Sequence, residues 1–156
     1  MINNFQELLT NENIYLLSNL GVIPFWLLLI IAPGHVITKF LANSIIPIFL
    51  LGIAYIYLGY NIFLSGNILE GFNLYFSIND LYAVFSNEAF LLIFWLHFLS
   101  ISLFVGSWIA NDSIKFSIPK FFTIISLIIT YFSGPVGILI YWIIRVFFAK
   151  KISLNE

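Results

Sequence analysis

The chain has 156 residues, of which 62% are hydrophobic, 19% aromatic and 8% charged, with a formal net charge of −1. A mean hydropathy of +1.06 is more apolar surface than a water-soluble domain of this size hides, so the bilayer is the expected solvent. The lack of a Lys/Arg-rich stretch leaves no electrostatic footprint for nucleic acid, and the absence of cysteine excludes disulfides, thiolate nucleophiles and thiolate metal sites.

The N-terminal MINNFQELLTNENIYLL lacks the basic region and small-residue cleavage site of a secretory signal, so the first apolar run is expected to stay as a helix. Apolar runs occupy about 14–32, 45–64, 89–110 and 120–149. At 1.5 Å per residue each reaches roughly 28 Å or more, enough to span. The runs are continuous where barrel strands would alternate, which predicts helices. The expectation is therefore an all-α, multi-pass integral membrane protein: a four-helix bundle in one domain over 1–156, in a bacterial inner membrane or an equivalent one. Four crossings place both termini on one side.

Pro24 lies inside helix 1, which ends at Pro33-Gly34, and the 33–46 connection to helix 2 is short and polar at Asn43-Ser44. Between helices 2 and 3, Ser77-x-x-Asp80 followed by Leu81-Tyr82-Ala83-Val84-Phe85 predicts an N-capped amphipathic turn on the membrane surface. Gly134-Pro135 lies near the middle of the fourth run and predicts a kinked or tilted helix. By the positive-inside rule, Lys39, Lys115 and Lys120 nearly balance Arg145, Lys150 and Lys151.

Rotation of helix 3 by about 100° per residue puts Ser102, Gly106 and Ala110 on one stripe and His97, Ile101, Phe104, Trp108 and Asn111 or Asp112 on the other. The small-residue stripe predicts close helix packing, while the ionisable and aromatic stripe is expected to avoid lipid. On helix 4, Thr123, Ser126, Thr130, Ser133, Gly134, Gly137, Tyr141 and Arg145 form a polar and small seam. Packing with hydroxyls bonded to their own helix, or a substrate-lining surface, both fit it.

His97 lies nine residues inside Glu88, about 13 Å along a helix, where a buried neutral imidazole would suit a general base or a structural hydrogen bond. His35, Asp112 and Lys39 gather on the side opposite the long loop, as a polar cluster or as solvated helix ends. Trp26, Trp95, Trp108 and Trp142, with many Phe and Tyr residues, predict an interfacial aromatic belt. The same composition would accommodate a polyene or isoprenoid.

The run Trp26-(x6)-Pro33-(x4)-Thr38, the stretch FWLHFLSISLFVGSWIANDS and the SGPVG containing Gly134-Pro135-x-Gly137 occur in that order. Together with NDLYAVFSNEAF before helix 3, they resemble the neoxanthin-synthase-like, abscisic-acid-deficient-four-like membrane family. That resemblance implies a four-helix membrane protein linked to neoxanthin formation, in which an epoxide of violaxanthin opens to an allene. Ser102 stands where the family commonly has Asp, and Ser107 where it often has Arg or a similar polar residue.

Two functions follow as expectations. The first is a carotenoid or isoprenoid isomerase working by acid–base chemistry. His97 and Asp112 are its catalytic candidates, and Trp26, His35, Trp95, Phe104, Trp108, Thr130 and Arg145 its substrate-binding ones. The second is a non-catalytic protein that binds a polyene or stabilises a membrane complex. No metal or cofactor is expected. Membrane lipids, a carotenoid or other isoprenoid ligand, and a homo-oligomer or membrane complex are the expected partners.

Overall fold

The computed structural model describes residues 9–65, 72–73, 75–150 and 152, and these contain helices and turns with no strand. In chain order the helices are α1 (Asn11–Ile31), α2 (Val36–Leu41), α3 (Ile46–Leu64), α4 (Ile78–Phe85), α5 (Glu88–Lys115), α6 (Lys120–Ser133) and α7 (Pro135–Ala149). Three stretches of the described residues are long and apolar enough to cross a membrane: Asn11–Ile31, Val36–Leu64 and Glu88–Lys115. The burial pattern suits lipid. Large apolar side chains such as Leu17, Ile56 and Phe132 are exposed, while Thr38, Ser126, Thr130 and Arg145 are completely buried.

The first three expected helices are present with shifted ends. The 33–46 connection contains the unforeseen short helix α2, capped by the His35 imidazole, whose Nδ1 accepts the Ile37 amide at 3.2 Å. Buried Thr38 ties this helix to the end of α1 by donating its hydroxyl to the Ala32 carbonyl at 2.6 Å. Helix α5 runs five residues beyond the expected Ala110, because the polar run after it is partly buried rather than released to solvent. The interfacial turn is present as α4, with Ser77 accepting the Asp80 amide. Part of its flanking 65–88 segment lies outside the described residues.

The fourth expected helix, over 120–149, is not one continuous span, and the expected four-helix bundle over 1–156 is not confirmed among the described residues. The stretch breaks at Gly134 into α6 and α7, of 14 and 15 residues. At about 21 and 22 Å, each is shorter than a hydrocarbon core of roughly 30 Å. Gly134 takes φ 52°, ψ −89°, a backbone region that side chains disfavour, and Pro135 opens the next helix at its first turn. The chain thus reverses where a kink was expected. Phe122 and Phe148 meet with ring centroids 5.5 Å apart, which fixes α6 and α7 as an antiparallel hairpin. Gly137 makes the contact close, since a Cβ there would collide with the Thr130 backbone and hydroxyl.

The chain divides into two compact units, Met1–Leu20 with Phe49–Phe98, and Gly21–Ile48 with Leu99–Glu156. In the first, Leu58, Leu92 and Leu96 are buried, Phe85 packs on Phe94 (4.4 Å), and Trp95 donates its indole N–H to Asn19 at 3.1 Å. In the second, the small stripe of α5 packs as expected. Ser102, Gly106 and Ala110 are buried, with Gly106 facing the Trp26 indole.

Candidate functional site

Asp112 lies in the last turns of α5 and keeps only 7% of its surface exposed. Tyr141 and Arg145 are four residues apart on α7, so they share one face of that helix, and both are completely buried. The two converge on one oxygen. The Tyr141 hydroxyl and Arg145 Nε each donate to Asp112 Oδ2 at 2.7 Å. The guanidinium carbon lies 4.7 Å from the Phe116 ring centroid and 5.3 Å from that of Trp142, so aromatic faces supply part of the charge's surroundings. Trp108, one turn before Asp112, stacks on Trp142 at 5.9 Å and meets Tyr141 edge-on at 5.6 Å. An ionic cluster with its donors in place is organised to stabilise negative charge on oxygen and to move a proton between carboxylate and phenol.

A second polar arrangement lies on the neighbouring strip of α5. Ser107 donates to the Asn43 side-chain carbonyl at 2.9 Å, and the Asn43 amide donates to Asn111 at 2.8 Å. Beside it opens a cavity of about 220 Å³, lined by Asn43, Ser44, Pro47, Leu103, Phe104 and Ser107.

Of the residues expected from sequence, Asp112, Trp108 and Arg145 come together, and Phe104 lines this cavity. The others go elsewhere. Trp26 is a buried packing residue, edge-on to Tyr131 at 5.4 Å. Thr130 bonds back to the Ser126 carbonyl at 2.7 Å, and exposed His35 is the cap of α2. Trp95 belongs to the other unit, in contact with Tyr15 and Phe98. His97, expected to be buried, is exposed and makes no hydrogen bond or ion pair with another described residue. The stripe opposite the packed one faces outward there, so depth along the helix did not imply enclosure. Asn43, Asn111 and Tyr141 were not among the expected site residues. The signal for Tyr141 was its four-residue spacing from Arg145 on the seam.

The profile of the family described as ABA DEFICIENT 4-like matches residues 13–141. The chain belongs to this family. It is 28% identical over 107 residues to Protein ABA DEFICIENT 4, chloroplastic, of Arabidopsis thaliana, an alignment covering 67% of this chain and 49% of that protein. The chain thus spans about half the length of the curated relative it matches. No solved structure matches it. The ABA DEFICIENT 4-like match includes Asp112 and Tyr141 and ends before Arg145. A relative named for the chloroplast gives no support to the expected bacterial inner membrane, and what stands is a chain with helices fit to cross a membrane.

Proposed function

We propose that this ABA DEFICIENT 4-like protein isomerises a carotenoid or related isoprenoid inside the bilayer, with Asp112 and Tyr141 exchanging protons with the substrate. The buried Asp112–Tyr141–Arg145 cluster carries the proposal, because an ion pair taken out of water is expensive to maintain and intramembrane charges commonly mark functional sites. In the reaction, the Asp112 carboxylate removes a proton from an allylic carbon as an epoxide C–O bond opens, and the Tyr141 hydroxyl protonates the departing oxygen. The proton then passes from Asp112 to the Tyr141 oxygen across their 2.7 Å hydrogen bond, restoring both groups. Arg145 balances the negative charge in each state. An isomerisation leaves atoms and electrons unchanged, so the two side chains complete the cycle. In this reading α1, the α2–α3 stretch and α5 span the membrane, and α6–α7 enters and leaves on one side.

Conversion of a carotenoid pool in cells expressing variants tests the assignment. Tyr141→Phe is expected to lower turnover at least about a hundredfold with the protein still in the membrane, while His97→Gln leaves turnover near normal. Normal conversion by Tyr141→Phe with loss in His97→Gln would return the base to His97.

The alternative is a protein that binds a polyene or stabilises a membrane complex without chemistry. Its support is that the cavity beside Phe104 and Ser107 is not lined by Asp112. A copurified polyene, with no product formed even by the wild type, would favour it.

A further inference from the structure

At the base of the hairpin lies a different cavity of about 220 Å³, with Leu29, Ile114 and Ile124 among its apolar walls and Ser117, Lys120 and Thr123 among its polar ones. Thr123 is 96% buried, and its hydroxyl finds no hydrogen-bond partner among the described residues. That sets it apart from Thr38, Ser113, Ser126 and Thr130, whose hydroxyls all donate to backbone carbonyls. The usual acceptor for a threonine in this place, the carbonyl four residues earlier, is Pro119 O. It already receives the amides of Phe122 and Thr123 at 3.1 and 3.4 Å. Helix α6 starts beside the same cavity with Pro119 as its N-cap and no side-chain cap. Its first-turn N–H groups therefore have no side-chain acceptor. The polar residues along the cavity are Thr123 with its unused hydroxyl, Lys120 at the N-terminus of α6, Ser117, and Ser113, whose hydroxyl already donates to the Ala110 carbonyl; no carboxylate residue lines it.

A buried unpartnered hydroxyl beside a helix N-terminus with no side-chain cap and a lysine suits an anionic oxygen, and the apolar walls suit a chain attached to it. We infer that this cavity binds a phosphate group carried by an anionic lipid, with the headgroup at the start of α6 beside Lys120 and Thr123 and the hydrocarbon along Leu29, Ile114 and Ile124. The inference stands apart from the isomerase reading and survives its failure.

The test uses the full chain in detergent, with phosphatidylglycerol, phosphatidylcholine and inorganic phosphate as probes. Lipid retention is read by native mass spectrometry and protection by melting temperature. Phosphatidylglycerol is expected to be retained and to raise the melting temperature, with phosphatidylcholine retained about tenfold less. Lys120→Gln and Thr123→Val should each weaken phosphatidylglycerol retention about tenfold. Lipid-free Thr123→Val should melt at or above the wild type, because the lost hydroxyl has no internal partner to strand. Equal protection by inorganic phosphate alone would keep the anion site and remove its lipid tail. No response of the wild type to either anion, or full retention in both variants, would overturn the inference.

Discussion

Replacing Asp112 by Asn keeps the side chain's shape while removing its charge, and so asks what holds α7 against α5. Arg145 is completely buried and Asp112 nearly so. Loss of the carboxylate therefore removes the Asp112 ion pair from a buried cation, a change that costs about 3–5 kcal/mol in comparable sites. The Phe116 and Trp142 faces keep about 1 kcal/mol of attraction for the guanidinium. The expected net loss is about 3 kcal/mol. Arg145→Met should cost less, about 2 kcal/mol, because Asp112 keeps the Tyr141 hydroxyl as a donor. The double variant should then lose less than the sum by about 2 kcal/mol. Denaturant titration in mixed micelles, followed by tryptophan fluorescence, is a suitable assay because Trp108 and Trp142 stack beside the pair. Losses below about 1 kcal/mol each that simply add, as for solvent-exposed ion pairs, would refute the docking of α7 through this cluster.

Gly106→Ala should destabilise by about 1–3 kcal/mol, since the new Cβ would lie 2.6 Å from the Trp26 ring. Gly21→Ala, with nothing within 4 Å of its Cβ, should be neutral or slightly stabilising in the same melting experiment. Gly137→Ala should loosen the hairpin, raising protease cleavage near residue 134, whereas unchanged protection would mean that α6 and α7 do not pack so closely. Because the chain has no cysteine, single substitutions report sidedness cleanly. Ser117→Cys and Lys150→Cys should label from one side and Asn87→Cys from the other, and Lys150→Cys labelling with Asn87→Cys would make 120–149 a true crossing.

Helix existence was legible because apolar runs of twenty residues have one main use, and the Ser102/Gly106/Ala110 stripe because small side chains at helical spacing have few others. The seam from Thr123 to Arg145 was equally readable, and all of it except Ser133 is buried. What periodicity could not convey is direction. A seam continued through Gly134 looks the same whether the chain runs on or turns back, and only the positive φ at Gly134 and the bare backbone at Gly137 separate the two. The same limit hid the site. Asp112 looked like a helix end because its partners come from α7, 29 and 33 residues later in sequence. His97 looked enclosed because rotation gives a face without saying what covers it.

The reversal at Gly134 also changes how the chain would enter a membrane. If 120–149 crossed, its basic residues would be divided between two sides and a membrane potential would pull on them in opposition. Folded back, the hairpin returns Lys150 to the end where α6 begins at Lys120, in the same unit as Lys39 and Lys115. The other unit holds no Lys or Arg, but contains Glu12, Asp80 and Glu88. Each charge carried across a potential of 100 mV is worth about 2.3 kcal/mol. With Lys120 and Lys150 at one end of the hairpin, that opposition disappears, by about this much for each charge no longer carried across. The turn that builds the Asp112 cluster would, by the same stroke, spare the hairpin's basic residues a crossing.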